Sequence, residues 1–311
     1  MSAHVIPQDR EPLDPKLANI VYHDWEADSY DEKWSISYDD RCVEYAVGRF
    51  AKALGGTPRH FEMVLEVGAG TGFFLLNVAQ AGYIGQAFAT DISEQMVKTC
   101  VANGRRLGID VIGEACEAES LPFPDNSFDL VMGHAFIHHV PDLETAFSEF
   151  HRVLKPGGRL IIAGEPTLLG DAIASHFKRL TRLGIKAAAA TLGRERVLAT
   201  AHHAPEDAEA AALEAHVDLH IFTPVELERL ALGCNFTEVE TFTEELTANW
   251  FGWVTRTAEA MLAEGIVPDG YRLVAYRIWK SLFWLDNAVL TRLLPKDIFY
   301  NAILTAVRPL R

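Results

Sequence analysis

The feature that most constrains the fold is a short apolar run that ends in a glycine turn. Met63–Val67 is apolar, Gly68–Gly72 reads Gly-Ala-Gly-Thr-Gly, and Phe73–Ala79 resumes helical spacing. This pattern predicts a strand, a tight turn and a helix. Glycines let the backbone approach a ligand and leave amide groups exposed at the helix start. A dinucleotide-binding turn would read GxGxxG, but Phe73 stands where its third glycine belongs, which disfavours NAD.

Two carboxylates accompany the turn. Glu66 lies just before it, separated only by Val67, and Asp91 closes a second predicted strand, Gln86–Thr90, about twenty residues after the glycines. A carboxylate at that place can accept both hydroxyl groups of a ribose. The alternative for Asp91 is a helix-capping acid, because a helix is predicted from Ser93 to Asn103-Gly104.

The remaining segments continue the alternation of strands and helices. Strands are predicted from Val111, at Phe128–Met132, at Arg159–Ala163, at Phe236–Phe242 and at Phe299–Val307. Helices are predicted from Asp40 to Leu54, along the stripe of Leu143, Phe147, Phe150 and Leu154, and from Thr223, where Pro224 and Glu226 suit a capping box. This order predicts an α/β fold, a doubly wound and mostly parallel sheet.

Four segments in this order resemble the class I S-adenosylmethionine-dependent methyltransferases, especially the branch of the ubiquinone and menaquinone biosynthesis methyltransferases. They are Val64–Gly72, Ala89–Ser93, Glu117–Val131 and Leu154–Gly158. The resemblance covers residues 62–166. It implies a Rossmann-like, seven-stranded sheet, with helical insertions outside the matching segments, and S-adenosyl-L-methionine as cofactor.

The resemblance also implies a role for individual residues. Glu66 would orient the methionine end of the cofactor, and Asp91 would hold the ribose. The glycine turn would line the cofactor through Gly68, Ala69, Gly70 and Gly72. Ile92 and Met96 would flank the adenine, Glu117 and Ala118 would read its edge, and His134 would lie along the cofactor. The family more often has Asp at the position of Glu117.

The segment Trp25–Asp31 resembles the family's lid, in which Tyr30 would approach the cofactor carboxylate. The alternative is that Tyr22, Tyr30 and Tyr38 only pack an aromatic amino-terminal arm against the domain.

Histidines follow the fourth predicted strand. His138 and His139 begin a loop at the carboxyl edge of the sheet, where doubly wound folds bind ligands. Either is a candidate base for an acceptor hydroxyl, and the alternative is helix capping or packing. A metal site with Asp142 is disfavoured because adjacent side chains diverge, so no metal is predicted.

The predicted organisation alternates core and insertion. Residues 1–40 form an arm or lid, 41–166 the cofactor-binding core, 167–216 a helical insertion, 217–245 a core helix and strand, 246–296 a second helical insertion, and 297–311 the final core strand. The second insertion is rich in aromatic residues, which suits either a substrate lid or a homodimer contact. His202 and His203 lie in a polar patch of the first insertion and are expected to be solvated.

The composition limits the kinds of partner that the chain is expected to bind. A net charge of −15 with no Lys/Arg-rich run argues against nucleic acid. The four cysteines are scattered without zinc spacing, and neither a signal peptide nor a membrane span is apparent, so we expect a cytoplasmic protein.

Three functions therefore stay open. We favour methyl transfer to oxygen or carbon of a small-molecule or lipid-like acceptor. The alternatives are a protein methyltransferase for Lys or Arg and a non-catalytic cofactor-binding protein.

Overall fold

Seven strands form one sheet in the order β3-β2-β1-β4-β5-β7-β6, in which β7 alone runs antiparallel to its neighbours. The computed structural model describes residues 14–27, 30–33, 36–191, 219–262 and 269–311. The strands are β1 (Phe61–Val67), β2 (Ile84–Asp91), β3 (Val111–Ala115), β4 (Phe128–His134), β5 (Leu154–Pro166), β6 (Thr237–Glu244) and β7 (Asn301–Val307). The predicted Rossmann-like, mostly parallel sheet is confirmed.

Helices cover both faces of this sheet. They are α1 (Pro15–Glu26), α2 (Tyr30–Lys33), α3 (Asp40–Ala53), α4 (Phe73–Gln80), α5 (Glu94–Leu107), α6 (Leu143–Val153), α7 (Leu168–Thr191), α8 (Pro224–Gly233), α9 (Thr247–Met261), α10 (Asp269–Leu285) and α11 (Thr291–Leu293). A π-helical turn, Asp286–Leu290, joins the last two. The predicted polar patch with His202 and His203 lies outside the described residues.

Two buried apolar clusters fill the space between the sheet and its helices. One contains Phe147 and Phe150 of α6 and Leu227 of α8, and the other contains Phe50 of α3 and Phe74 of α4. Because these helices are amphipathic, burying each apolar stripe fixes which face of the helix meets the sheet. The sheet is therefore held from both sides, and its carboxyl edge has a fixed shape.

Among the element boundaries that differ from the sequence prediction, two are explained by a contact between residues apart in the chain. Helix α5 continues through Asn103-Gly104 to Leu107 and ends at Gly108, whose φ is +74°. Gly104 is needed for packing instead, since a Cβ there would lie 2.7 Å from Cγ2 of Val111. Leu154 starts β5 and pairs with Phe128 instead of ending α6. In both places a tertiary contact decided the boundary.

The capping box predicted at the start of α8 is present. Thr223 Oγ1 accepts from the backbone N–H of Glu226 at 3.2 Å, and the Glu226 carboxylate accepts from the backbone N–H of Thr223 at 2.8 Å. The reciprocal pair satisfies two backbone donors that a helix start leaves without partners.

The start of α9 is capped by a residue far along the chain. The buried carboxylate of Asp286 accepts from the backbone N–H groups of Leu246 and Ala248 at 2.9 Å and from that of Thr247 at 3.1 Å. It also accepts from Thr247 Oγ1 at 2.6 Å. The π-helical turn is thereby tied to the helix that packs against α7 and α10.

We expect Asp286→Ala to lower the free energy of unfolding by about 3 kcal/mol, because several buried donors lose their acceptor. Asp286→Asn keeps one acceptor oxygen, so its free energy of unfolding should lie between those of the wild type and Asp286→Ala. Urea unfolding followed by circular dichroism measures the difference, with the exposed Asp110→Ala as the control. Equal stability of Asp286→Ala and the wild type would contradict this assignment.

Candidate functional site

The carboxyl ends of β1, β2, β4, β5 and β6 meet at one edge of the sheet, because these strands are mutually parallel. The glycine turn follows β1, Asp91 ends β2, His134 ends β4 and Glu244 ends β6. Doubly wound sheets bind ligands at this edge. The topology thus gathers the predicted site residues from distant parts of the chain.

The glycine turn adopts a conformation that side chains disfavour. Gly68, Gly70 and Gly72 have φ values of +62°, +51° and +95°. A Cβ at Gly72 would lie 2.8 Å from Sγ of Cys100, whereas a Cβ at Gly70 would meet only the ring of Tyr30, at 4.0 Å. The turn therefore needs glycine, and Gly70 has open space on the side that faces Tyr30.

Asp91 is tied to the turn and to the start of α5. Its Oδ2 accepts from the backbone N–H of Gly70 at 2.9 Å, and its Oδ1 accepts from that of Ser93 at 3.0 Å. The side chain that caps α5 is Ser93, whose Oγ accepts from the backbone N–H of Met96 at 3.1 Å. Each Asp91 oxygen has a second lone pair, so the carboxylate retains acceptor capacity for a diol.

Glu66 is buried beneath the same turn. Its Oε2 accepts from the backbone N–H of Leu75 in the first turn of α4 at 2.9 Å. Burial raises the pKa of the Glu66 carboxyl well above its ordinary value, and the nearby Asp91 raises it further. A cationic amine of a bound ligand would favour the ionised form and would stabilise it at this position.

The amino-terminal helix α1 lies against the loops after β2 and β3. Lys16 Nζ donates to Glu117 Oε2 at 2.6 Å and lies 3.1 Å from Glu119 Oε1. Near the other end of α1, Ser93 Oγ donates to Asp24 Oδ1 at 2.5 Å. The predicted adenine-edge residue Glu117 is thus within reach of a helix that precedes the core.

Tyr30 and the catalytic candidates also meet at this edge. The ring centroid of His23 lies 6.1 Å from that of Tyr30 and 5.6 Å from that of His139. His139 in turn lies 3.9 Å from His138, measured between ring centroids. The structure therefore brings the amino-terminal arm and the loop after β4 together.

A buried carboxylate orients His138. Glu165, near the end of β5, accepts from Nδ1 of His138 at 2.8 Å through Oε2. Its Oε1 accepts from the backbone N–H groups of Phe136 and Ile137 at 2.9 and 3.1 Å. Since a carboxylate only accepts, the proton of this hydrogen bond lies on Nδ1 of His138. The carboxylate therefore fixes the orientation of the imidazole.

Sequence reasoning missed Glu165. The signal available was a charged residue that follows the apolar end of the fifth predicted strand by two positions. A buried carboxylate is costly unless it is hydrogen-bonded, so its presence there implies partners on a neighbouring strand or loop.

His134 points into a buried ionic cluster. Arg49 of α3 contacts its Nε2 and also pairs with Glu244 at 2.5 Å and with Glu245 at 3.0 Å. The rings of Phe73 and Phe74 lie 5.3 and 5.5 Å away. Burial lowers the pKa of His134 well below its ordinary value, and Arg49 lowers it further, so the ring is neutral. Its predicted contact with the cofactor stays a prediction.

The chemistry of this edge fits S-adenosyl-L-methionine. The open side of Gly70 admits close approach of a ligand, the Asp91 oxygens suit a ribose diol, and Glu66 suits an ammonium group. The roles of Ala69, Ile92 and Ala118 depend on backbone position and stay predictions.

Comparison with known proteins agrees with this chemistry. Residues 65–162 match the family described as "Methyltransferase domain". The ubiquinone/menaquinone biosynthesis C-methyltransferase UbiE of Psychromonas ingrahamii is 35% identical over 122 residues, which cover 38% of this chain and 49% of the relative. The human mitochondrial arginine-hydroxylase NDUFAF5 is 33% identical over 122 residues, which cover 39% of this chain and 34% of the relative. The chain thus matches about half the length of these relatives or less.

Solved structures share the fold. Haemonchus contortus phosphoethanolamine N-methyltransferase 2, in complex with S-adenosylhomocysteine, superposes with a TM-score of 0.56 at 18% identity over 98% of this chain and 61% of that one. A putative sarcosine dimethylglycine methyltransferase from Galdieria sulphuraria gives a TM-score of 0.53 at 14% identity over 92% and 98% of the two chains.

Residues 65–162 are therefore similar to a methyltransferase domain, on a fold that the solved structures share. The matched segment is similar to UbiE.

We expect Asp91→Ala to weaken the binding of S-adenosylmethionine about 10- to 100-fold, because the hydrogen bonds to the ribose are lost. Isothermal titration calorimetry measures the dissociation constant. The value for Asp91→Asn should lie between those of the wild type and Asp91→Ala. Thermal unfolding of the ligand-free variants serves as the control for folding. Unchanged affinity in folded Asp91→Ala would contradict the role of this carboxylate.

Proposed function

We propose that the chain is an S-adenosylmethionine-dependent methyltransferase that acts on oxygen or carbon of a small-molecule or lipid-like acceptor. The observation that carries this proposal is the His138–Glu165 pair at the edge that holds the cofactor turn. The relative UbiE is a ubiquinone/menaquinone biosynthesis C-methyltransferase, which supports an acceptor of this kind.

When bound, S-adenosylmethionine supplies a methyl group activated by a sulfonium. The protein's tasks are therefore to hold the acceptor in line and to exclude water. As the acceptor oxygen bonds to the methyl carbon, the bond between that carbon and the sulfonium sulfur would break with its electron pair left on sulfur, and the acceptor hydroxyl must lose its proton. We assign Nε2 of His138 as the group that receives it, with Glu165 stabilising the resulting imidazolium through Nδ1. For a phenolic ring carbon, removal of the same hydroxyl proton raises the electron density on the ring. After the new bond forms, that carbon loses its own hydrogen as a proton, and the phenol oxygen regains one.

The two residues of the pair have different roles. Both oxygens of Glu165 already accept hydrogen bonds, one from two backbone N–H groups and the other from His138, so Glu165 does not itself contact an acceptor. It is a positioning residue, and it fixes both the tautomer and the orientation of the imidazole. His139 lies against His138, with the two rings tilted at 50° to each other, and is proposed as a second, weaker candidate.

The amino-terminal arm and the two helical insertions are proposed to cover the acceptor. The contacts of α1 with Glu117 and Ser93 support closure over the cofactor side. Tyr45 of α3 supports closure on the other side, because it contacts both Phe73 next to the turn and Trp279 of α10. The cytoplasmic location, the lack of nucleic-acid binding and the homodimer stay predictions.

The test is transfer of tritium from methyl-labelled S-adenosylmethionine into a cell extract. The extract is separated into organic, aqueous and protein fractions, with Asp91→Ala as the matched control. We expect label in the organic or small-molecule fraction with the wild type only.

Label in the protein fraction would contradict the proposed acceptor and favour a Lys or Arg methyltransferase. Cofactor binding without any transfer would favour a non-catalytic binding protein. It would equally direct attention to another reaction on the same fold, because the relative NDUFAF5 is named an arginine-hydroxylase.

Glu165→Gln provides a sharper test of the base. The amide keeps an acceptor for Phe136 and Ile137 but turns an N–H toward His138, so the imidazole proton moves to Nε2 and the lone pair is lost there. We expect kcat to fall at least about 100-fold while the dissociation constant of the cofactor is unchanged. The kcat of His138→Gln should fall as far, and the kcat of the double variant should fall no further.

Steady-state and single-turnover methyl transfer measure these rates, and thermal unfolding checks the fold. His139→Phe is the matched control, because it keeps a ring against His138. If His139→Phe loses activity and Glu165→Gln does not, His138 is not the base.

A further inference from the structure

The helix formed by α10, the π-helical turn and α11 has an exposed apolar surface from Leu273 to Leu293. The members of this outer stripe are Leu273, Val274, Arg277, Ile278, Ser281, Trp284, Val289, Arg292 and Leu293, all exposed. They recur every three or four residues, with one longer step where the π-helical turn adds a residue. Trp284 and Leu293 are 67% and 73% exposed, and Leu273 is 56% exposed.

The opposite face of this helix is fixed by aromatic packing. Trp279 and Phe283 stack on each other at 5.1 Å, and both contact Tyr45, at 5.7 and 6.0 Å. Tyr45 donates to Glu245 at 2.5 Å and lies against Phe73 at the start of α4. The inner face therefore borders the cofactor edge, and the outer stripe is held outward.

The charge of the outer stripe is opposite to that of the chain. Between Leu273 and Leu293 the only acidic residue is Asp286, which is buried at the start of α9. Arg277 and Arg292 lie in the stripe, whereas the chain as a whole carries −15. Lys280 borders the stripe and is paired with Glu44 at 2.7 Å. The stripe is thus a locally cationic, apolar strip on an acidic protein.

We propose that the outer stripe docks on the surface of an anionic lipid bilayer, with the helix lying in the plane of the interface. Exposed Leu, Ile and Val would enter the acyl boundary, Trp284 would sit at the level of the headgroups, and Arg277 and Arg292 would pair with lipid phosphates. This association goes beyond methyl transfer and does not depend on it.

The residue pattern favours a lipid surface over a second copy of the chain. Alternating large apolar and cationic side chains without carboxylates suit an interface that is apolar at one depth and anionic at another. A two-fold self-contact places the same patch on both partners, so it would bring arginines to face a patch that has no carboxylate. None of the helices that the structure describes is long and apolar enough to cross a bilayer. Docking in the interface plane is therefore the geometry available to this helix.

The proposal is tested with the full chain and two kinds of vesicle, one of phosphatidylcholine alone and one that also contains phosphatidylglycerol. Flotation measures the bound fraction at low and at high salt. We expect binding to the anionic vesicles, and we expect Trp284→Ser with Leu293→Ser to reduce the partition constant at least about tenfold.

Arg277→Gln with Arg292→Gln should weaken binding to the anionic vesicles alone and flatten its salt dependence, because two charge contacts are lost. Val225→Ser with Leu232→Ser is the matched control. Both residues are exposed on α8, at 49% and 57%, and binding should be unchanged.

Three results would overturn the proposal. The first is that the wild type binds neither vesicle. The second is that the α8 control loses binding as much as the stripe variant. The third is that the stripe variant converts a dimer into a monomer in sedimentation while no vesicle binding is seen, which would assign the surface to a second copy. Because no turnover is measured, failure here is distinct from failure of the proposed methyl transfer.

Discussion

The parallel direction of β1, β2, β4, β5 and β6 is the constraint on which the rest of the structure depends. Because these strands run in the same direction, all five carboxyl ends meet at one edge. Antiparallel β7 fills the gap between β5 and β6 without adding a carboxyl end there. One edge of the sheet therefore holds the glycine turn, Asp91 and the His138–Glu165 pair together.

A second constraint is a buried ionic network that fixes the position of helix α3 beside that edge. Arg49 of α3 joins Glu244 and Glu245 at the end of β6, and Lys52 adds a hydrogen bond to the backbone oxygen of Thr243 at 2.9 Å. Buried ions are costly to desolvate, so such a network stabilises only when its partners are all in place. It fixes α3 relative to β6, and with it the wall formed by Tyr45, beside both the turn and α10.

Local sequence patterns predicted most of the core because the deciding forces there are local. Apolar runs bounded by glycine predicted β1 and β2, and the capping signature at Thr223 predicted the start of α8, since both depend on contacts within a few residues. The ends of α5 and α6 were misplaced for the converse reason. Gly104 packs against Val111, and Leu154 pairs with Phe128. Both contacts form only in the folded chain.

The sequence by itself determined the fold class, the glycine turn and the chemical character of the cofactor site, because strand periodicity, glycine spacing and a carboxylate after β2 are local properties of the chain. Only the tertiary structure decided which histidine is oriented by a buried carboxylate, since Glu165 reaches His138 from strand β5. It alone also decided that His134 is enclosed by Arg49 and that α10 turns Trp279 inward and Trp284 outward. Those outcomes depend on pairings between residues far apart in sequence, for which no short pattern carries a signal.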